Sequence, residues 1–319
     1  MRMFIKALSV IALVFILSGC NLAVLDPKGP VASQQTDLIN LSIVFMLAIV
    51  LVVFVLLTII LVKYRDRENN DNYDPTIEGS HKLELIWTII PIVIVTILSV
   101  PTIVTIYNLE EIPEVTAEDV QEEPLVIHAT AANWKWIFSY PEEGIETVNY
   151  VNIPVGRPIE FKLTSADSMA SFWVPQLGGQ KYAMSGMETQ LYLLADYEGI
   201  YKGRNANFTG EGFTDQRFDV NAITVNQYDD WVQEVQQNAP SLSEEEYKHL
   251  MVPGHASEMT FSTTHLRFVN HARDPEYALD AREELGYKAL NPNSKEGKLQ
   301  ELPYLEQPID TTRTYEVNK

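Results

Sequence analysis

The sequence predicts a two-helix transmembrane hairpin followed by an extracytoplasmic all-β sandwich with a C-terminal helical extension. Three observations predict it: two uncharged apolar runs before residue 108, a basic loop between them, and a change after Pro124 to short β-branched and aromatic segments separated by turn residues. The 319 residues are 46% hydrophobic and carry a formal charge of −20, but the apolar runs and most of the 43 acidic residues lie in different parts of the chain. A uniform soluble globule is thereby excluded. With 23 Lys+Arg and no basic cluster or basic–aromatic stripe, the surface that neutralises phosphates is missing, which argues against nucleic acid as a partner. A single cysteine supplies neither an internal disulfide nor the paired thiolates of a zinc ribbon or a Cys-x-x-Cys redox site.

Residues 1–19 read as an export signal. Arg2 and Lys6 form a basic start, Ala7 to Leu17 is an apolar core too short to span a bilayer, and Leu17-Ser18-Gly19-Cys20 resembles the lipobox of bacterial lipoproteins. That resemblance implies cleavage before Cys20, a diacylglycerol on its thiol, and a lipid-anchored segment over residues 20–37. Leu38 to Val62 is a run of 25 residues without a charge, long enough at about 1.5 Å per residue to cross a hydrocarbon core of about 30 Å. Leu85 to Tyr107 is a second uncharged run of 23 residues, placing the second span at 83–107; Pro91 and Pro101 would break a soluble helix but are tolerated in a membrane helix. The 63–82 loop carries Lys63, Arg65, Arg67 and Lys82, whereas residues 108–134 contain no Lys or Arg, so the positive-inside rule puts the loop in the cytoplasm. A lipid on Cys20 would place the mature N-terminus outside, in agreement. Residues 108–123 then form an acidic linker, with Glu110, Glu111, Glu114, Glu118, Asp119, Glu122 and Glu123 extended by mutual repulsion.

From 124 to 226 the apolar residues fall into short runs: Leu125–Thr130, Trp134–Tyr140, Thr147–Ile153, Ile159–Thr164, Gln190–Ala195 and Phe218–Val225. Turn-rich stretches such as Pro154-Val155-Gly156-Arg157-Pro158 separate them, the spacing of an antiparallel sandwich or barrel. Over residues 227–290 the period becomes helical at Tyr228–Gln237, Ser243–Met251 and Pro275–Leu285, with Ser243 and Glu246 spaced for a capping box. A polar, proline-containing tail fills 291–319. The six histidines are scattered; His265 and His271 would meet only through the fold.

Longer motifs are specific. His81-Lys82-Leu83-Glu84-Leu85-Ile86-Trp87-Thr88-Ile89-Ile90-Pro91, Asn133-Trp134-Lys135-Trp136-Ile137-Phe138-Ser139-Tyr140 and Ser171-Phe172-Trp173-Val174-Pro175-Gln176-Leu177 occur in the order found in subunit II of the haem–copper terminal oxidases, which the chain resembles from about residue 36 to 226. The resemblance implies a cupredoxin-like Greek-key sandwich. Copper-bearing members hold a two-copper centre there, and the positions corresponding to its ligands are Ala170, Asn205, Asn207, Thr209, Phe213 and Gln216. Methyl, amide, hydroxyl and phenyl groups do not replace soft thiolates and imidazoles, so no metal site and no redox centre is expected in this chain. The pattern resembles the quinol-oxidase branch, in its Gram-positive form, in which haems, copper and the quinol site belong to subunit I.

The implied partners are oxidase subunit I, smaller membrane subunits, membrane lipid, and quinol by way of subunit I, with no cytochrome c. The implied role is a non-catalytic subunit of a complex that oxidises membrane quinol, reduces oxygen to water and pumps protons, in the bacterial cell membrane. By the same resemblance Glu84 stands at the cytoplasmic entrance of a proton pathway, although a carboxylate is also favoured at a helix N-terminus by the backbone dipole. Trp134 corresponds to the electron-entry tryptophan of copper-bearing relatives, and without copper behind it packing is expected instead. Two other readings remain at this point: a cytochrome c oxidase subunit whose acidic domain docks a basic cytochrome, and an oxidase-independent lipoprotein that binds a ligand or aids assembly.

Overall fold

A computed structural model describes residues 22–65, 79–113 and 123–287. They fall into two units, Gln34–Glu111 and the residues before and after it. The first contains nearly all of two long helices, α1 (Pro30–Lys63) and α2 (His81–Leu109). Both are long and apolar enough to cross a membrane, and their apolar side chains are exposed along most of the length. Each extends beyond the expected apolar run, because a helix continues into polar residues wherever its backbone stays bonded. α1 begins eight residues early at Pro30, whose missing N–H would have no intrahelical partner in the first turn. Within α2, Pro91 and Pro101 each remove a backbone donor, and the hydroxyls of Thr88, Thr96, Ser99 and Thr102 donate to the carbonyls four residues earlier.

The second unit is a two-sheet sandwich. Its strands are β1 (Leu125–Ala132), β2 (Lys135–Tyr140), β3 (Ile145–Val148), β4 (Tyr150–Pro154), β5 (Ile159–Ser165), β6 (Ala170–Trp173), β7 (Lys181–Ala183), β8 (Thr189–Leu193), β9 (Gly199–Asn205), β10 (Arg217–Ile223) and β11 (Met259–Phe261). One sheet runs β11-β3-β2-β1-β5-β8 and the other β4-β10-β9-β6-β7. The expected antiparallel sandwich is corrected in one respect: β1 pairs with β5, and β4 with β10, in parallel, because the connections between them pass through the opposite sheet.

The run 147–153, expected as one strand, is two strands in different sheets. Asn149 breaks it with a φ of 61°, a conformation asparagine tolerates better than other side chains. Its carboxamide Oδ1 accepts from Trp136 N at 2.9 Å and its Nδ2 donates to Ala256 O at 2.7 Å, so the crossing is fastened to both β2 and the extension. Between the sheets Trp136, Phe138, Phe161, Phe172 and Phe218 form an aromatic core, with the Phe172 and Phe218 rings stacked at 4.9 Å.

Three helices follow: α3 (Val225–Asn238), α4 (Glu244–Leu250) and α5 (Tyr277–Glu284). α3 starts three residues before the expected Tyr228 because Thr224 and Gln227 form a capping box, and it buries Tyr228, Trp231 and Val235 on one face. Ser243 and Glu246 cap α4 as their spacing predicts. The extension is not purely helical, since β11 joins the edge of the six-stranded sheet against β3.

Candidate functional site

β6 and β9 are antiparallel neighbours in register Phe172↔Asn205, which brings the positions corresponding to copper ligands to one end of the sandwich. Asn205 is buried at the end of β9 and its amide is fully used. Oδ1 accepts from the backbone N–H of Ser171 at 2.8 Å and of Asn207 at 2.9 Å, while Nδ2 donates to Thr209 Oγ1 at 3.1 Å and Gln216 Oε1 at 2.8 Å. Gln216, also buried, donates its own Nε2 to Lys135 O at 3.2 Å. Asn207 turns outward to donate to Met169 O, Phe213 lies edge-on to Phe208, and Ala170 offers a methyl group. Three of the six positions thus form one neutral hydrogen-bonded cluster, and the other three point elsewhere or carry no donor atom. This set does not fit a two-copper centre: it has no thiolate or imidazole, and the one amide at its centre has no bonding capacity left.

Trp134 covers the loop. Its φ of 70° lays the indole over Gly210 and Gly212, where a Cβ on Gly212 would come within 2.4 Å of the ring, and Nε1 donates to Thr209 O at 3.0 Å. Its ring also stacks on His255 at 5.8 Å between centroids.

Lys135 was not singled out by its sequence context and is fully enclosed. Nζ donates to Val252 O at 2.8 Å, Gly254 O at 2.9 Å and Asn133 O at 3.2 Å. Burial pulls its pKa down to about 7, while the three carbonyls use all three ammonium protons. The sequence offered only its place between two tryptophans; because every residue of β2 is buried in the fold, the ammonium has to be bonded inside.

A second buried polar cluster, joining the sheet to the extension, was also missed. Glu146 Oε2 accepts from the His265 backbone N–H at 2.7 Å, from His265 Nδ1 at 2.8 Å and from Ser139 Oγ at 2.8 Å. Tyr247 stacks on His265 with ring centroids 4.5 Å apart, and its hydroxyl meets His271 Nε2 at 2.7 Å. Among the described residues, Glu146 Oε1, His271 Nδ1 and the Tyr277 hydroxyl are buried without a hydrogen-bond partner. His265 and His271 do meet, at 5.8 Å between ring centroids, but no group of three or more His, Cys, Asp or Glu among the described residues is arranged to hold a metal ion.

Glu84 occupies the first turn of α2 and is half exposed, with His81 Nδ1 3.4 Å from Oε2. Cys20 lies outside the described residues.

The two apolar helices and the two-sheet sandwich fit a two-pass membrane protein with an extracytoplasmic β-domain. The family model for "Cytochrome C oxidase subunit II, transmembrane domain" matches residues 18–104, and that for the periplasmic domain matches residues 142–222. The chain is 62% identical over 291 residues to a protein of Bacillus spizizenii named quinol oxidase subunit 2, covering 90% of each chain, and 61% identical over the same length to that of Bacillus subtilis. A probable quinol oxidase subunit 2 of Staphylococcus saprophyticus is 43% identical over 99% of this chain and 83% of its own. The chain belongs to the quinol oxidase subunit 2 family.

Proposed function

We propose that this chain is the non-catalytic subunit II of a terminal quinol oxidase. Its complex oxidises membrane quinol, with menaquinol as the donor, reduces oxygen to water and moves protons outward. Haems and copper reside in subunit I, and this chain braces subunit I and shapes its outer face together with smaller membrane subunits. The observation that carries the reading is the corner built on Asn205, Thr209 and Gln216: in a chain of this family, the place where an electron-accepting metal would sit is filled by neutral groups bonded to one another. A soluble cytochrome would have no acceptor here, whereas a membrane quinol can deliver electrons to subunit I directly.

The test is oxygen uptake by the purified complex with menaquinol, ubiquinol and reduced cytochrome c, with copper counted per complex. Menaquinol-driven uptake and no two-copper signal are expected; uptake driven by cytochrome c with a stoichiometric two-copper signal would overturn the reading.

Two residues have finer roles in this reading. Glu84, at the membrane-entry turn of α2 and with its carboxylate open, takes up protons for subunit I from the cytoplasmic side. Glu84→Gln should slow proton-coupled turnover several-fold and leave assembly intact; unchanged turnover removes the assignment. Cys20 carries the lipid that anchors the mature N-terminus, which the mass of the N-terminal peptide checks directly.

A further inference from the structure

Ahead of α1, residues 26–32 are built into the sandwich unit. Lys28 bonds through its backbone in both directions: its N–H donates to Gln176 O at 2.8 Å, and its carbonyl accepts from Asp196 N–H at 2.9 Å. One residue therefore bridges the turn that follows β6 and the loop that follows β8. Gln176 also donates its side-chain Nε2 to Asp26 Oδ2 at 3.2 Å, and Lys28 Nζ sits 2.8 Å from Asp26 Oδ1.

The next residue shows how close the approach is. A Cβ on Gly29 would stand 1.9 Å from the carbonyl oxygen of Leu194, a contact with rigid backbone that no side chain can accommodate. Gly29 O is at the same time the acceptor for Ser33 N–H, the first helical bond of α1. In that first turn Val31 and Ala32 are buried, and a Cβ on Gly178 would lie 3.1 Å from Val31 Cγ1. The stretch Gln176-Leu177-Gly178, which continues the Ser-Phe-Trp-Val-Pro motif, thus has a role of its own: it supplies an acceptor, an amide and a side-chain-free surface to the segment that precedes the first membrane helix.

We propose that residues Asp26–Ala32 form a clasp, an integral part of the extracytoplasmic domain. The domain is then fastened to the membrane-spanning chain on both sides of the hairpin, ahead of α1 as well as behind α2, and does not hang from the acidic linker alone. Glycine at position 29 is a positioning residue: it lets the chain lie on Leu194 O and turn into α1 within one residue. The inference is independent of which donor the oxidase uses.

Hydrogen exchange of the intact, detergent-purified complex, read by mass spectrometry, should place residues 26–32 with the sandwich strands in rate. Exchange as fast as in an unbonded chain would overturn the proposal without recourse to any variant. Trypsin gives a second reading at Lys28, whose carbonyl is held by Asp196. The native complex should resist cleavage after Lys28, and Gly29→Val should speed it at least ~10-fold, because the local opening that cleavage requires becomes the resting state. Gln176→Ala, which leaves the Gln176 carbonyl in place, should raise the rate much less. Rapid cleavage of the native protein, or a Gly29→Val chain as resistant as the native one, would show that the clasp does not hold this segment.

Discussion

The sandwich unit contains two buried polar clusters of opposite character. The corner around Asn205 is neutral and saturated: its amide makes four hydrogen bonds, and Gln216 passes the chain of bonds on to Lys135 O. The cluster around Glu146 combines a carboxylate with two imidazoles and is incomplete, with three hydrogen bonds on one carboxylate oxygen and none on the other among the described residues. Both hold distant segments together, Asn205 within the sandwich and Glu146 between the sandwich and the extension. A cluster of neutral amides and a hydroxyl is insensitive to pH, while one that encloses the His271 imidazole makes stability depend on it.

The largest effect should follow from breaking the second cluster at its centre. Glu146→Ala leaves the His265 ring and backbone N–H and the Ser139 hydroxyl without their shared acceptor in a site closed to water, and should cost about 3–5 kcal/mol of unfolding free energy. Glu146→Gln keeps an acceptor oxygen and should cost less. Thermal or denaturant unfolding of the purified full-length chain checks both. A loss for Glu146→Ala no larger than for a surface substitution would mean that the extension is held by β11 and Lys135 instead.

His271 supplies the pH dependence. Burial first, and the neighbouring His265 second, push its pKa down from about 6.5 to about 3. The folded protein therefore holds this ring neutral, whereas the unfolded chain protonates it below pH 6.5. Its contribution is fully present above pH 6.5 and is lost progressively as the pH falls toward 3, reaching about 2 kcal/mol by pH 5. His271→Gln, which can still meet the Tyr247 hydroxyl, should flatten the slope between pH 6.5 and 5. An unchanged slope in that variant would assign the acid sensitivity to another group.

The two clusters were not equally legible in the sequence. The six positions that the resemblance aligns with copper ligands could be written down because they sit beside Ser171-Phe172-Trp173 and in the short stretch from Asn205 to Gln216, so a local pattern carried them. Glu146 and His265 are 119 residues apart, and nothing local distinguishes either from a surface residue. The membrane helices were legible because length and absence of charge are sufficient physical conditions for a span. Their ends were not, since Gly29 and Pro30 start α1 through a contact with Leu194 that only the fold provides. The break at Asn149 shows the same limit: the β-branched run Thr147 to Ile153 satisfied strand propensity on both sides, and only the asparagine in its middle hinted at a left-handed residue. β9, which positions Asn205, contains two glycines and three charged or amide side chains and so lacks the apolar run that marks β1, β2, β5, β8 and β10; the short β6, β7 and β11 likewise lie outside the expected runs.

The smallest expected effect tests the neutral corner. Thr209→Val preserves the shape of the side chain and removes one hydroxyl, leaving one proton of Asn205 Nδ2 without its acceptor while the other still reaches Gln216 Oε1. The cost should be about 1 kcal/mol, the ordinary value for a single neutral hydrogen bond. None of the three groups titrates between pH 5 and 7, so this loss should be the same at both ends of that range, measured by denaturant unfolding in parallel with the His271 variant. A Thr209→Val penalty that grew toward acid would mean that the corner is electrostatically joined to a titrating group, and Lys135, whose carbonyl receives Gln216 and whose ammonium is held at Val252 and Gly254, is the residue through which that coupling would run.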